Sequence, residues 1–117
     1  MFSRRYFAAK VVITSPIFYV NAKPHIGHLY TALHCDAMAR YHRLAGDKVF
    51  FSTGTDEHGL KIQKRALEEG KEPLEFCDFY SNEFKKLFSH ANIAYDRFIR
   101  TTEVDHQKAV ETFWNTL

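Results

Sequence analysis

Near its start the chain runs from the β-branched residues VVIT (11–14) through the loop SPIFYVNAKP into HIGH (25–28), where an apolar repeat begins. That succession limits the fold more than any other feature. The VVIT run, bounded by Ser15-Pro16, has the composition of a short buried strand. Pro24 suits a first helical turn, where its missing N–H costs nothing. Ile26, Leu29, Tyr30, Leu33, Ala37, Tyr41 and Leu44 then recur at helical spacing as far as Gly46. A second apolar run, Val49 to Phe51, is short enough for a strand and ends in STGTDEHG. Leu60 to Glu69 follows as a helix stopped by Gly70. Strand, helix, strand, helix predicts a right-handed βαβ unit in a parallel sheet. Both loops that follow the strands then lie on one edge, where open α/β sheets place their ligands.

Beyond this unit, Phe76, Phe79, Tyr80, Phe84, Leu87 and Phe88 mark one side of a helix from Pro73 to about Ala91, with a short segment Arg97 to Arg100 after it. Thr102 and Asp105 have the spacing of a capping box. Val110, Phe113, Trp114 and Leu117 keep helical spacing to the last residue, so residues 11–117 are expected to be the front part of a larger domain, truncated at its C-terminal end. At 117 residues the chain suits one domain, and its 45% apolar and 26% charged residues are ordinary for a globular protein. No apolar run approaches the roughly 18 residues of a membrane span, and no membrane partner is expected. A net charge of +2 is too small to argue for nucleic acid by itself. Cys35 and Cys77 form no Cys-x-x-Cys pair, so both read as reduced structural thiols, and no zinc site is expected. Residues 1–10, MFSRRYFAAK, combine Arg4, Arg5 and Lys10 with aromatics and no acid, as at the end of a mitochondrial presequence. That stretch is short for a targeting segment. It leaves the mitochondrial matrix and the cytoplasm both open.

The chemistry concentrates in the two loops. A helix N-terminus offers unpaired N–H groups and the positive end of the helix dipole, so it attracts anions, phosphate above all. His25 and His28 both reach a ligand there, and Gly27 between them lets a flat ring or a phosphate approach the backbone. Donors aimed at charge that grows in a transition state contribute about 2.7–4 kcal/mol each, which suits phosphoryl or nucleotidyl transfer. Asp56, between two glycines in the second loop, suits equally a ligand-binding carboxylate or the N-cap of the following helix. His34, His42, His90 and His106 read as ordinary surface or capping residues. Neither a Gly-x-Gly-x-x-Gly nor a Gly-x-x-x-x-Gly-Lys is present, which counts against dinucleotide and P-loop binding.

HIGH after SPIFYVNAKP, TGTDEHG at 53–59 and FIRTTE at 98–103 together resemble the methionyl-tRNA synthetases of bacteria and mitochondria, a family of class I aminoacyl-tRNA synthetases. The resemblance covers Val11 to Leu117. It implies an α/β fold, the N-terminal half of a Rossmann-like catalytic domain with a parallel sheet and flanking helices. It also implies an ATP-dependent ligase that activates methionine as methionyl-adenylate and passes it to tRNA(Met), with Mg2+ accompanying ATP. By the same resemblance His25, Gly27, His28 and Asn21 serve ATP, the two histidines catalytically. Ile17, Tyr19, Asp56 and His58 serve methionine, Asp56 by receiving its ammonium. The family's lysine-rich second signature is missing from these residues, so they are expected to hold half a site and to be inactive alone. Two other readings are a non-catalytic fragment or interaction module, and another nucleotidyltransferase with a HIGH motif. The second of these accounts for neither SPIFYVN nor GTDEHG.

Overall fold

The structure, a computed structural model, describes residues 10–117. The targeting segment expected at residues 1–10 therefore lies outside the described residues, except for Lys10. Eight elements follow one another: β1 (Lys10–Thr14), β2 (Phe18–Tyr19), α1 (Ile26–Leu44), β3 (Lys48–Asp56), α2 (Leu60–Glu68), α3 (Pro73–His90), β4 (Arg97–Arg100) and α4 (Val104–Trp114). The expected parallel sheet is present, with β3 at its centre. β1 pairs with Lys48–Ser52, β2 with Thr55–Asp56 and β4 with Ser52–Thr55, every pair parallel. Thr14 lies opposite Ser52 and Phe18 opposite Thr55, so four steps on one side meet three on the other. That extra residue, in the Ser15–Ile17 bend, is where β1 gives way to β2.

Several local expectations change. β3 does not end at Phe51 but continues through Ser52, Thr53, Gly54 and Thr55, all buried. These polar residues stay in the strand because their hydroxyls find partners there: Ser15 Oγ donates to Thr53 Oγ1 at 2.7 Å, and Thr55 Oγ1 donates to Glu57 Oε1 at 2.6 Å. Part of the SPIFYV loop is likewise strand, as β2. Pro24 lies outside α1, because the His25 side chain takes the N-cap position and Ile26 becomes the first helical residue. α1 does end at the expected glycine, Gly46, with a φ of 91°.

The face of α1 also differs from its apolar repeat. Its buried residues are Ala32, Asp36 and Ala39, whereas Ile26, Tyr30, Leu33, Tyr41 and Leu44 are exposed. The small side chains bring the helix close to β1 and β3. Asp36 is satisfied in that position by Arg40 Nε at 2.6 Å and the Ala94 amide at 2.8 Å. The core itself is aromatic, built from Phe18, Phe51, Phe76, Phe84, Phe88 and Phe98, with Ile13, Val20 and Ile62 around them. α3 supplies much of it, as its spacing predicts. The Thr102–Asp105 capping box does not form: the N-cap of α4 is Glu103, without a side-chain cap bond. Thr102 Oγ1 donates instead to Glu57, and Asp105 accepts from Arg97, since both find charged partners across the sheet edge.

Candidate active site

The HIGH segment is a reciprocal cap made of two imidazoles. The Gly27 amide donates to His25 Nδ1 at 3.1 Å, and the His25 amide donates to His28 Nδ1 at 3.1 Å. The rings stack with centroids 3.8 Å apart. A backbone N–H can only donate, so both Nδ1 atoms are acceptors, and a neutral imidazole then carries its proton on Nε2. The cap thus leaves each histidine with an Nε2–H donor that the helix end does not use. Phe18 and Phe84 pack against His28 with ring centroids at 5.3 and 5.0 Å. Burial there, and secondly the neighbouring His25, hold the His28 pKa below its ordinary value. A Cβ at Gly27 would come within 3.0 Å of the His25 ring, so the glycine serves the cap itself.

The second loop begins where β3 ends. Tyr19 lies opposite Asp56 in the sheet register, and its hydroxyl donates to the His58 carbonyl at 2.8 Å. Successive strand residues point to opposite faces: Phe18 is buried beneath His28 while Tyr19 reaches the second loop. Two adjacent residues therefore brace both motifs. Asp56 is half-buried, and among the described residues its carboxylate meets only the His58 amide, at 3.4 Å. It does not cap the following helix, because that position belongs to Gly59, with a φ of 115°. Asn21 joins Tyr19, Leu60 and Lys61 around a hollow of about 540 Å³. Ile17, in the bend between β1 and β2, is exposed. Among the described residues no hydrogen bond joins His25 or His28 to Asp56 or His58; β2 braces both loops, and α3 touches both, through Phe84 against His28 and Cys77 against the Glu57 carbonyl.

One residue in this region escaped the sequence reading. Glu57, between Asp56 and His58, has a fully buried side chain and accepts four hydrogen bonds, from Thr55 Oγ1 and Arg100 Nε at Oε1 and from Arg100 Nη2 and Thr102 Oγ1 at Oε2. Those bonds fill its lone-pair capacity. Glu57 is a structural anchor that joins TGTDEHG to FIRTTE, with no acceptor left for a ligand. The hydrogen bonds to Glu57, first, and to Asp78 hold the Arg100 guanidinium charged well beyond its already high pKa. Cys77, whose Sγ–H donates to the Glu57 carbonyl at 3.7 Å, is pushed up to about 11 by burial and next by the Glu57 charge. It is an inert free thiol, as is Cys35, whose pKa burial also raises. The only advance signal for Glu57 was its place inside TGTDEHG.

Comparison with known proteins shows the family and the fold. A family model described as tRNA synthetases class I (M) matches residues 11–117. The chain belongs to that family. A probable mitochondrial methionine–tRNA ligase of Dictyostelium discoideum is 54% identical over 108 residues, covering 92% of this chain and 19% of that protein. The human mitochondrial methionine–tRNA ligase is 54% identical over 111 residues, with the same 92% and 19%, and the Rickettsia bellii enzyme is 50% identical over 105 residues, 90% of this chain and 21% of its own. The chain thus spans about a fifth of these relatives' length. Mycobacterium tuberculosis methionyl-tRNA synthetase in complex with methionyl-adenylate superposes with a TM-score of 0.90 at 41% identity, over 92% of this chain and 21% of that one. The class I synthetase fold expected from HIGH and GTDEHG is therefore the fold present.

Proposed function

We propose that these residues form the phosphate side and part of the amino-acid side of a methionine–tRNA ligase site. The observation that carries the reading is the imidazole cap, which leaves a helix N-terminus with two Nε2–H donors that the cap does not use; on the same sheet, at the end of β3, Asp56 has no cation partner among the described residues. The methionyl-adenylate held by the Mycobacterium tuberculosis relative supports it. In the reaction a carboxylate oxygen of methionine attacks the α-phosphorus of ATP, the bond from that phosphorus to the oxygen bridging to the β-phosphate breaks and pyrophosphate leaves; a 3′-terminal hydroxyl of tRNA(Met) then attacks the methionyl carbonyl, the acyl–phosphate bond breaks and AMP leaves. ATP enters with Mg2+. His25 and His28 donate to phosphate oxygens whose negative charge grows in the pentacovalent transition state, and Gly27 leaves the backbone open to the nucleotide. Asn21 stands on the ATP side. Asp56 accepts the methionine ammonium at the end of β3, with Ile17, Tyr19 and His58 around the amino acid. The mitochondrial matrix is the proposed compartment, supported by the names of the Dictyostelium and human relatives.

The test is methionine-dependent exchange of pyrophosphate with ATP, in a full-length synthetase carrying these residues. His25→Ala or His28→Ala should slow it by about 10²–10³ with methionine affinity little changed. Asp56→Asn should weaken methionine by about 1.5–3 kcal/mol and leave ATP affinity in place. Equal losses for both substrates in the histidine variants would remove the transition-state role.

A further inference from the structure

His58 is held at three points. Its carbonyl accepts from Tyr19 Oη, its amide lies 3.4 Å from Asp56 Oδ1, and its Nδ1 lies 2.9 Å from Thr101 Oγ1. Thr101 is buried, and its oxygen already accepts the Glu57 amide at 2.9 Å. The hydroxyl hydrogen of Thr101 needs an acceptor, and of its hydrogen-bond partners among the described residues the one that can accept is His58 Nδ1. We propose that Thr101 is a positioning residue that locks His58 in the Nε2–H form and so presents a single donor to bound methionine. This rests on the reading of His58 as part of the amino-acid side.

The lock is rigid because Thr101 has no freedom to move away. Its amide donates to the Thr55 carbonyl at 3.3 Å. Its two neighbours in sequence, Arg100 and Thr102, both end on the saturated, buried carboxylate of Glu57. Three consecutive residues at the end of β4 thus grip the two residues that follow Asp56. A buried hydroxyl that accepts one backbone amide still has a hydrogen to place, and of its two hydrogen-bond partners among the described residues only the imidazole can accept it. His58 also borders hollows of about 420 and 220 Å³, so there is room for a ligand beside the residue.

The experiment uses a full-length synthetase carrying these residues, with ¹⁵N-labelled histidine and His58 assigned by His58→Gln. The unliganded wild-type protein should show His58 Nδ1 at the shift of an unprotonated ring nitrogen and Nε2 at that of a protonated one. Thr101→Val, which keeps the shape and removes the hydroxyl, should average the two tautomers and raise the KM for methionine about ten-fold with the KM for ATP unchanged. Thr101→Ser should restore both. A wild-type His58 protonated on Nδ1 overturns the proposal, even if Thr101→Val fails to fold, and so does a Thr101→Val enzyme whose His58 shifts match the wild type. If the tautomer is as stated but His58→Gln leaves the methionine KM unchanged, the lock stands and the placing of His58 beside methionine fails.

Discussion

At the scale of single residues the site depends on which atom of each imidazole is free. His25 and His28 use Nδ1 to satisfy amides that any helix start leaves open, and this fixes the donor that remains. A pH dependence follows. Burial, and then His25, depress the His28 pKa from its ordinary 6.5, so the unfolded chain takes up this proton more readily than the folded one. The contribution of the cap to stability is therefore complete above about pH 6.5 and is lost as pH falls through the lowered folded value, where a protonated Nδ1 can no longer accept the His25 amide. The melting temperature measured over that range should fall more steeply in the wild type than in His28→Asn, whose side chain accepts without titrating; losing such a cap costs about 0.5–2 kcal/mol. Parallel curves would assign the pH dependence to other groups. The pair HIGH was legible in the sequence. Its tautomers were not, because they depend on which amides the folded turn aims at the rings.

Among the elements, β3 decides most. Its central place lets β1 and β2 on one side and β4 on the other bring HIGH, TGTDEHG and FIRTTE together. Gly54 makes the β4 pairing feasible: a Cβ there would lie 2.1 Å from the Ile99 carbonyl oxygen, a backbone atom with no freedom to step aside. Gly54→Ala should therefore push β4 off β3 and destabilise the fold by roughly 3 kcal/mol, the upper end of ordinary overpacking, as read from urea unfolding. A loss below ~1 kcal/mol would show that β4 adapts. The two glycines around Asp56 look alike in the sequence and do different work. Gly54 admits a neighbouring strand, while Gly59, at a φ of 115°, turns the chain into α2 with Tyr19 close against it.

On the scale of the whole molecule, the apolar surfaces are unevenly covered. α1 turns its large residues outward, Val12 and Phe50 lie exposed opposite one another in the β1–β3 register, and α4 buries none of its side chains. Trp114, the single tryptophan, is 76% exposed. Its emission in this 117-residue chain should match indole in water and be freely quenched by acrylamide; a blue-shifted, shielded signal would show that α4 packs against a partner surface. The strand–helix–strand–helix order of β1, α1, β3 and α2, the parallel sheet and the place of the HIGH and GTDEHG loops after its strands were readable from the sequence, because a β-branched run, a helical repeat and a glycine stop are local signals that survive without neighbours. The length of β3, the buried face of α1, the failed Thr102–Asp105 cap and the Glu57–Arg100–Thr101 anchor were decided by the tertiary structure alone. Each turns on a polar group that becomes costly to bury only once another strand or helix covers it, and it then takes whichever partner the packing supplies.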